Sequence, residues 1–341
     1  MPLPEQLRVS VIIPVHNGGD SFRRCLSSLA KTTPPPSEII VVADGDTDGS
    51  WLLAKEFNAK VLRINARGGP AQARNLGAKA AQGDILFFVD ADVVVYPDTI
   101  SQVASTFSRE PDLAALIGSY DDAPGATNFL SQYRNLLHHY VHQTGCEEAS
   151  TFWGACGAIR RQVFLSLGGF DESYRQPSIE DIELGYRLKQ AGYRIRLCKD
   201  LQVKHLKRWE MGSLLKADFF YRALPWTELI LRDRQLINDL NLQVSSRVSV
   251  MLVFGLLSAL VAAWWWSGFL IVAAALSLSL LVINAPVYRF FMRQRGLVFA
   301  FQVIPWHWLY YFYSGLAFAI GTARYQFRRL RSSKTSVSAP L

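Results

Sequence analysis

Short apolar runs and amphipathic stretches alternate through the first third of the chain. Residues 9–15, 38–43, 60–64, 85–89 and 113–118 are rich in Val, Ile, Leu and Phe with little polar alternation, the pattern of strands covered on both faces. Between the first two, Phe22, Cys25, Leu26 and Leu29 fall at i, i+3, i+4 and i+7, which predicts one face of a helix. Residues 33–37 and the pair Gly83, Asp84 read as connectors. Such alternation predicts an α/β domain with a mainly parallel sheet, in which ligands bind beyond the carboxyl ends of the strands. Polar groups gather at three of those ends: Pro14, His16 and Asn17; residues 44–49 (DGDTDG); and Asp90 with Asp92. One acidic turn is ordinary. Three on one rim suggest a site.

The pattern changes beyond residue 246. Residues 248–266 and 268–286 are each 19 residues long, uncharged and without a polar stripe, close to the roughly 20 residues that cross a bilayer core. Trp264, Trp265 and Trp266 end the first, as expected at headgroup level. Residues 297–322 are also uncharged, but hold Pro305 and the aromatics Trp306, Trp308, Tyr310, Tyr311, Phe312 and Tyr313. Arg289, Arg293 and Arg295 place the preceding loop in the cytoplasm, and the basic residues at 324–334 favour the same side. Three full spans from a cytosolic start would put that end outside, so spanning, re-entry and interfacial placement all stay open for 297–322. Upstream, Leu214, Leu215, Phe219, Phe220, Leu224, Trp226 and Leu229 interleave with Lys216, Arg222, Arg232 and Arg234. That suits a segment lying on a membrane surface; an ordinary packing helix has the same pattern, and the downstream spans favour the membrane. The expected organisation is a domain over 1–209, an interfacial segment over 210–246, and an all-α membrane region of two to three spans over 247–341 with a basic tail.

Charge follows the same division. Of 36 Lys and Arg, nine lie in 247–341, where none of the 28 Asp and Glu occurs. The formal net charge of +8 therefore belongs to the tail, which argues against a nucleic-acid face on the first domain and against nucleic acid as a partner. The opening MPLPEQLRVS runs into a strand pattern without a signal-peptide signature, so the domain is expected on the cytosolic side of the cytoplasmic membrane. Cys25, Cys146, Cys156 and Cys198 lack metal spacing and fit reduced thiols.

The acidic clusters differ in what they can do. DGDTDG begins like a calcium loop, but its twelfth position is Lys55 instead of the bidentate Glu, so that reading fails. Asp48 or Ser50 fits a helix N-cap, while Asp44 ends a buried strand and is available to a base or ribose. Asp90 and Asp92 follow the most apolar strand, and oxygen ligands there suit Mg²⁺ or Mn²⁺ bound to substrate phosphates. Ser178 to Asp181 matches a capping box before Ile182, Leu184 and Leu188. A helix N-terminus also favours a carboxylate anion, the form a general base needs. His205 follows a predicted strand over 193–198 and is either an ion ligand or structural. His138, His139 and His142 lack the Glu of a zinc-protease motif and read as a helix surface.

Four segments carry a family resemblance: VSVIIPVHN (9–17), EIIVVADGDTDGS (38–50), GGPAQARNLGAKAAQGDILFFVDAD (68–92) and GGFDESYRQPSIEDIELGYRLKQAGYRIRL (168–197). With these, residues 8–210 resemble inverting glycosyltransferases of family 2, which have the GT-A fold, here followed by C-terminal membrane helices. The resemblance implies that Pro14, His16 and Asn17 line the nucleotide pocket, with Asp44 at the base edge. It implies that Gly69, Arg74 and Asn75 approach the nucleotide. Asp90 would contact ribose or metal, and Asp92 would hold a divalent cation, Mn²⁺ or Mg²⁺, between the donor's phosphates. Asp181 would be the general base, supported by Glu180, with His205 a further metal ligand. Trp153 and Gly154 would line the pocket between donor and acceptor, and Arg222 and Trp226 would meet a lipid-phosphate or polar lipid head. Processive relatives carry Q-x-x-R-W, where this chain has His205, Arg208 and Trp209. The implied activity is transfer of one sugar from a nucleotide-sugar donor to a lipid or lipid-linked acceptor. A small processive polysaccharide synthase and a non-catalytic membrane scaffold are the alternatives.

Overall fold

All the apolar runs read as strands pair into one sheet. The computed structural model describes residues 7–234 and 237–336, and the chain divides after Glu210 into two compact units. The first holds eight strands: β1 (Val9–Val15), β2 (Glu38–Asp44), β3 (Lys60–Ile64), β4 (Ile85–Val89), β5 (Val93–Val95), β6 (Leu113–Tyr120), β7 (Cys156–Arg160) and β8 (Arg194–His205). Its helices are α1 (Gly19–Leu29), α2 (Ser50–Glu56), α3 (Pro70–Ala80), α4 (Thr99–Arg109), α5 (Phe129–Thr144), α6 (Arg161–Ser166) and α7 (Glu180–Gln190). The strand order is β3-β2-β1-β4-β7-β6-β8-β5. Val11, Ile12 and Ile13 are consecutive and all fully buried, as are the five residues of β4. That two-sided burial is why these strands show no alternation.

The sheet is mixed, which corrects the expectation of a mainly parallel one. β1, β2, β3 and β4 pair in parallel, as do β6 and β8. β7, however, enters antiparallel between β4 and β6, and β5 pairs antiparallel with β8. β7 reads CGAIR, too short and too poor in β-branched residues to show in the sequence. Its reversed direction brings Trp153, Gly154 and Ala155 to the rim where β4 ends; the Asp90 amide donates to the Ala155 carbonyl at 3.4 Å. β8 runs on past the predicted end at residue 198, because its far half pairs with β5 and sets His205 opposite Val93.

The histidine triplet is not a helix surface. His139 and His142 are buried on α5, and their Nδ1 atoms donate to the carbonyls of Tyr120 (2.7 Å) and Gly118 (2.9 Å) at the end of β6. Burial pushes the His142 pKa down to about 4, so this imidazole is neutral. The four cysteines are free thiols.

The second unit opens with α8 (Met211–Lys216), a π-helical segment (Ala217–Ala223) and α9 (Leu224–Asp233). After a 3₁₀ turn come α10 (Val244–Ala262), α11 (Phe269–Ile283), α12 (Ala285–Arg295) and α13 (Leu297–Ser336). α10 is long and apolar enough to cross a membrane, and α11 with α12, bent by 61°, passes the same test as a pair. Trp264, Trp265 and Trp266 lie in the turn between α10 and α11, 66–89% exposed. Residues 297–322 fall within one continuous helix that keeps Pro305 inside it. At the α11–α12 break, the Asn284 side chain donates to Ser249 Oγ (3.0 Å) and accepts from the Tyr311 hydroxyl (2.7 Å).

Gly185 on α7 lies flat against the backbone of Thr151 and Phe152, where a Cβ would sit 2.5 Å from the Thr151 Cα. Backbone cannot swing aside as a side chain can. Gly185→Ala is expected to cost about 1–3 kcal/mol through overpacking, read as a lower thermal midpoint of the intact chain; an unchanged midpoint would show that the contact yields.

Candidate active site

The rim at the strand ends is tied together by its own polar groups. Asp44 closes β2 almost fully buried, and its two carboxylate oxygens accept the amides of Gly68 (2.6 Å) and Gly69 (2.8 Å). Gly69 has φ +95°, and a Cβ there would meet the Arg175 carbonyl at 2.5 Å, so glycine is required. Asp44 therefore fastens the loop that launches α3. The His16 Nδ1 donates to the Asp44 carbonyl at 2.8 Å. Asn17, in the left-handed region at φ 53°, accepts from the Thr47 amide at 2.8 Å. His16 and Asn17 are exposed on the rim and Pro14 is half-buried beside them.

Arg74 lies on α3, one turn beyond that loop, and is only 4% exposed. One guanidinium nitrogen donates to Glu180 Oε1 at 2.8 Å and another to Asp90 Oδ1 at 2.7 Å. Burial opposes its charge, but the carboxylates of Asp90, Glu180 and Asp181 more than compensate and hold the guanidinium protonated above its usual range. Gly154 presses against the guanidinium, where a Cβ would stand 3.0 Å from Cζ. Asn75 exchanges hydrogen bonds with the backbone of Phe170 (2.8 Å each way) and donates to Glu172 at 2.9 Å. The side chains of Arg74 and Asn75 are thus engaged inward with protein groups.

α7 delivers the acidic pair. Ser178 does not cap it: Ile179 occupies the cap position, and Glu180, drawn toward Arg74, accepts the Ser178 amide at 2.9 Å. The capping-box expectation fails because the Ser178 amide goes to Glu180 instead of Asp181, the acidic residue of that pattern. Asp181, the next residue, points elsewhere, its oxygens accepting from the Gly154 amide (3.0 Å) and the Ile182 amide (2.8 Å). Burial first, and the Glu180 charge second, raise its pKa to about 6 against the opposing pull of the Gly154 amide and Arg74.

A second polar set lies at the end of β8. His205 Nε2 stands 3.5 Å from Asp92 Oδ2. Its Nδ1 is 2.7 Å from Asn135 Oδ1, and its ring stacks on Tyr120 at 4.4 Å and 8°. His205, followed by Lys207, pulls the Asp92 pKa below its usual value against the effect of burial. Among the described residues no three His, Cys, Asp or Glu side chains gather at metal-binding geometry. The donor chemistry of the Asp92 and His205 pair nonetheless fits a divalent cation: one carboxylate, and one imidazole whose other nitrogen already has a partner. Trp153 packs edge-on against Tyr120 at 4.8 Å and on His138 at 4.7 Å.

The other expected residues have partners of their own. Arg222 pairs with the buried Asp218 (3.3 Å), which also accepts from Tyr313, and it belongs with Trp226 to the second unit. Arg208 pairs with Glu210 at 2.8 Å, and the buried Trp209 is held by its backbone to Ser131 and Asn128. Sequence reasoning missed Asn135 and Tyr120. The spacing Asn135, His139, His142 (i, i+4, i+7) marks one buried polar face of α5 and was the available signal.

Residues 10–168 match the model of Glycosyl transferase family 2. The chain is 26% identical over 241 residues to the O-antigen chain rhamnosyltransferase RfbN of Salmonella typhimurium, across 65% of this chain and 75% of that protein. It is 43% identical over 110 residues to the uncharacterized glycosyltransferase YibD of Escherichia coli, across 31% of this chain. The match spans only about a third (32%) of YibD's length. Among solved structures, the mannosyltransferase PcManGT of Pyrobaculum calidifontis, in complex with GDP-Man and Mn²⁺, shares the fold. Its TM-score is 0.52 at 18% identity, over 93% of this chain and 88% of that one.

Removing Arg74 would leave Glu180 buried with its charge uncompensated. Arg74→Met is expected to lower unfolding stability by about 3–5 kcal/mol, measured by chemical denaturation; wild-type stability would show that the bridge is dispensable.

Proposed function

We propose that the chain is a membrane-anchored inverting glycosyltransferase that moves a single sugar from a nucleotide-sugar donor to a lipid or lipid-linked acceptor. The observation that carries this reading is Asp181. It is a carboxylate with a raised pKa at the start of α7, fixed by the Gly154 amide beside the Arg74-bridged pair of Asp90 and Glu180. A raised proton affinity suits a group that takes a proton from an attacking hydroxyl near neutral pH. Inversion at the anomeric carbon needs one displacement, and so one base on the acceptor side.

The other residues take roles consistent with that step. Pro14, His16 and Asn17 line the nucleotide side of the rim, with Asp44 and Gly69 fixing the loop beneath it. Asp92 and His205 would hold a divalent cation, which when bound neutralises charge on the leaving diphosphate. Glu180 acts on Asp181 through its charge, and Arg74 keeps that charge in check. Trp153 and Gly154 border the acceptor.

Several features favour a bilayer setting: the span-length α10, the bent α11–α12 pair, and the exposed tryptophans between α10 and α11. The domain over 1–209 would then face the cytosol, with 210–246 at the interface and 247–341 in the membrane. The name of RfbN places that relative in O-antigen chain assembly, which supports a lipid-linked acceptor here. His205 in place of the processive Gln, and its engagement with Asn135, favour one transfer over polymerisation.

Asp181→Asn should abolish turnover, by about a thousandfold or more for loss of a general base in this geometry, while donor binding measured by calorimetry persists; undiminished transfer would remove Asp181 from the role. In the wild type, kcat/KM should fall as pH drops below about 6, where the Asp181 carboxyl holds its proton. The same raised pKa sets a stability sign. The unfolded carboxyl ionises first, so the group erodes stability as pH climbs from about 4 through about 6. Asp181→Asn should therefore gain stability over wild type at pH 7.5 and lose that gain at pH 4. Chelator and Asp92→Ala should each suppress transfer; full activity in both would sink the cation's role.

A further inference from the structure

Asn135 is 1% exposed on the inner face of α5, yet its side chain has a single partner in the structure. Its Oδ1 meets His205 Nδ1 at 2.7 Å, while its Nδ2 is buried without an acceptor. Burying an unsatisfied amide nitrogen is costly, and the contact that Asn135 does make is to His205. An amide oxygen accepts and cannot donate. Nδ1 of His205 therefore carries a proton, and whenever the ring is neutral it is Nε2 that presents its lone pair toward Asp92. The ring cannot rotate out of this arrangement, because Tyr120 lies parallel to it at 4.4 Å and the backbone of His205 is locked in register with Val93. At 3.5 Å, Nε2 and the Asp92 carboxylate face each other close enough to address one ion together.

We infer that Asn135 is the positioning residue of a cation site shared by Asp92 and His205: it fixes the His205 tautomer and ring orientation, so that the imidazole and the carboxylate offer lone pairs to one Mn²⁺-class ion. The inference rests on the cation reading above and adds to it a residue that touches neither substrate nor ion. An oriented imidazole discriminates between metals, since nitrogen donors favour Mn²⁺ over Mg²⁺. It also predicts what position 135 tolerates. A carboxylate there accepts from Nδ1 as the amide does, whereas an apolar side chain of similar size leaves the ring without a partner and free to present either tautomer.

The test uses the full chain and Mn²⁺ alone. Binding is followed by the electron paramagnetic resonance of free Mn²⁺. Coordination is followed by electron spin-echo modulation after ¹⁵N-histidine labelling, with His205→Ala to assign the signal. Wild type is expected to show imidazole coupling. Asn135→Leu is expected to lose it and to bind Mn²⁺ about 10- to 100-fold more weakly, with the preference for Mn²⁺ over Mg²⁺ reduced. Asn135→Asp is expected to keep both coupling and affinity. If Asn135→Leu does not fold, judged by circular dichroism, Asn135→Asp alone decides: lost coupling in that folded variant overturns the proposal, since it would mean the amide donates to the ring. Unchanged coupling and affinity in Asn135→Leu also overturn it, while leaving the cation reading intact. A wild type with no imidazole coupling removes both.

Discussion

Arg74 is the cation on which the rim depends. A guanidinium can address two carboxylates at once with fixed geometry, where an ammonium cannot. Here the two carboxylates arrive from distant parts of the chain, Asp90 from the end of β4 and Glu180 from the start of α7. Burying three charges is tolerable only because each is met by an opposite one or by an amide. The arrangement also sorts neighbours with the same chemistry: Glu180 turns inward to the cation, and Asp181, denied it, keeps a higher proton affinity. Two adjacent carboxylates thereby acquire different jobs from their surroundings alone.

Around that bridge, backbone amides do the holding. Asp44 takes two from the loop before α3, Asn75 fixes the Phe170 backbone, and Gly154 gives its amide to Asp181. Glycine recurs where these groups approach, at Gly69 for its left-handed backbone and at Gly154 for closeness to the guanidinium. The first unit thus places acidic groups on rigid strand ends and helix starts.

Much of this was legible in the chain. Strands buried on both faces announce themselves by unbroken apolar runs, so β1, β2, β4 and β6 could be read with bounds close to those observed. The acidic residues after them were visible because they gather at three strand ends on one rim. β7 was not legible, since five residues that include a glycine carry no periodic signal; its antiparallel entry was missed with it, and so was the reason Trp153 and Gly154 reach the rim. The inward turn of Glu180 was hidden because Ser178 to Asp181 satisfies a capping pattern equally well, and only the buried cation decides between them. The histidines of α5 misled for a similar reason: polar side chains on a helix suggest solvent, yet His139 and His142 are bonded to carbonyls at the end of β6.

With the second unit in a bilayer, as proposed, the break at Asn284 would bear on the surrounding lipid. α11 has 15 residues, a rise of about 22 Å, whereas the hydrocarbon thickness of a bilayer is about 30 Å. The hydrogen bonds of Asn284 to Ser249 and Tyr311 satisfy the polar groups at the bend, so the helix can stop there at small cost even in hydrocarbon. In a membrane the mismatch of several ångströms falls on the lipid: either the leaflet beside α11 thins, or the first turn of α12 sinks until Arg289 reaches the phosphates. Both outcomes would bring polar headgroups down to this edge of the helices, where an acceptor of the proposed lipid class would have less acyl depth to climb.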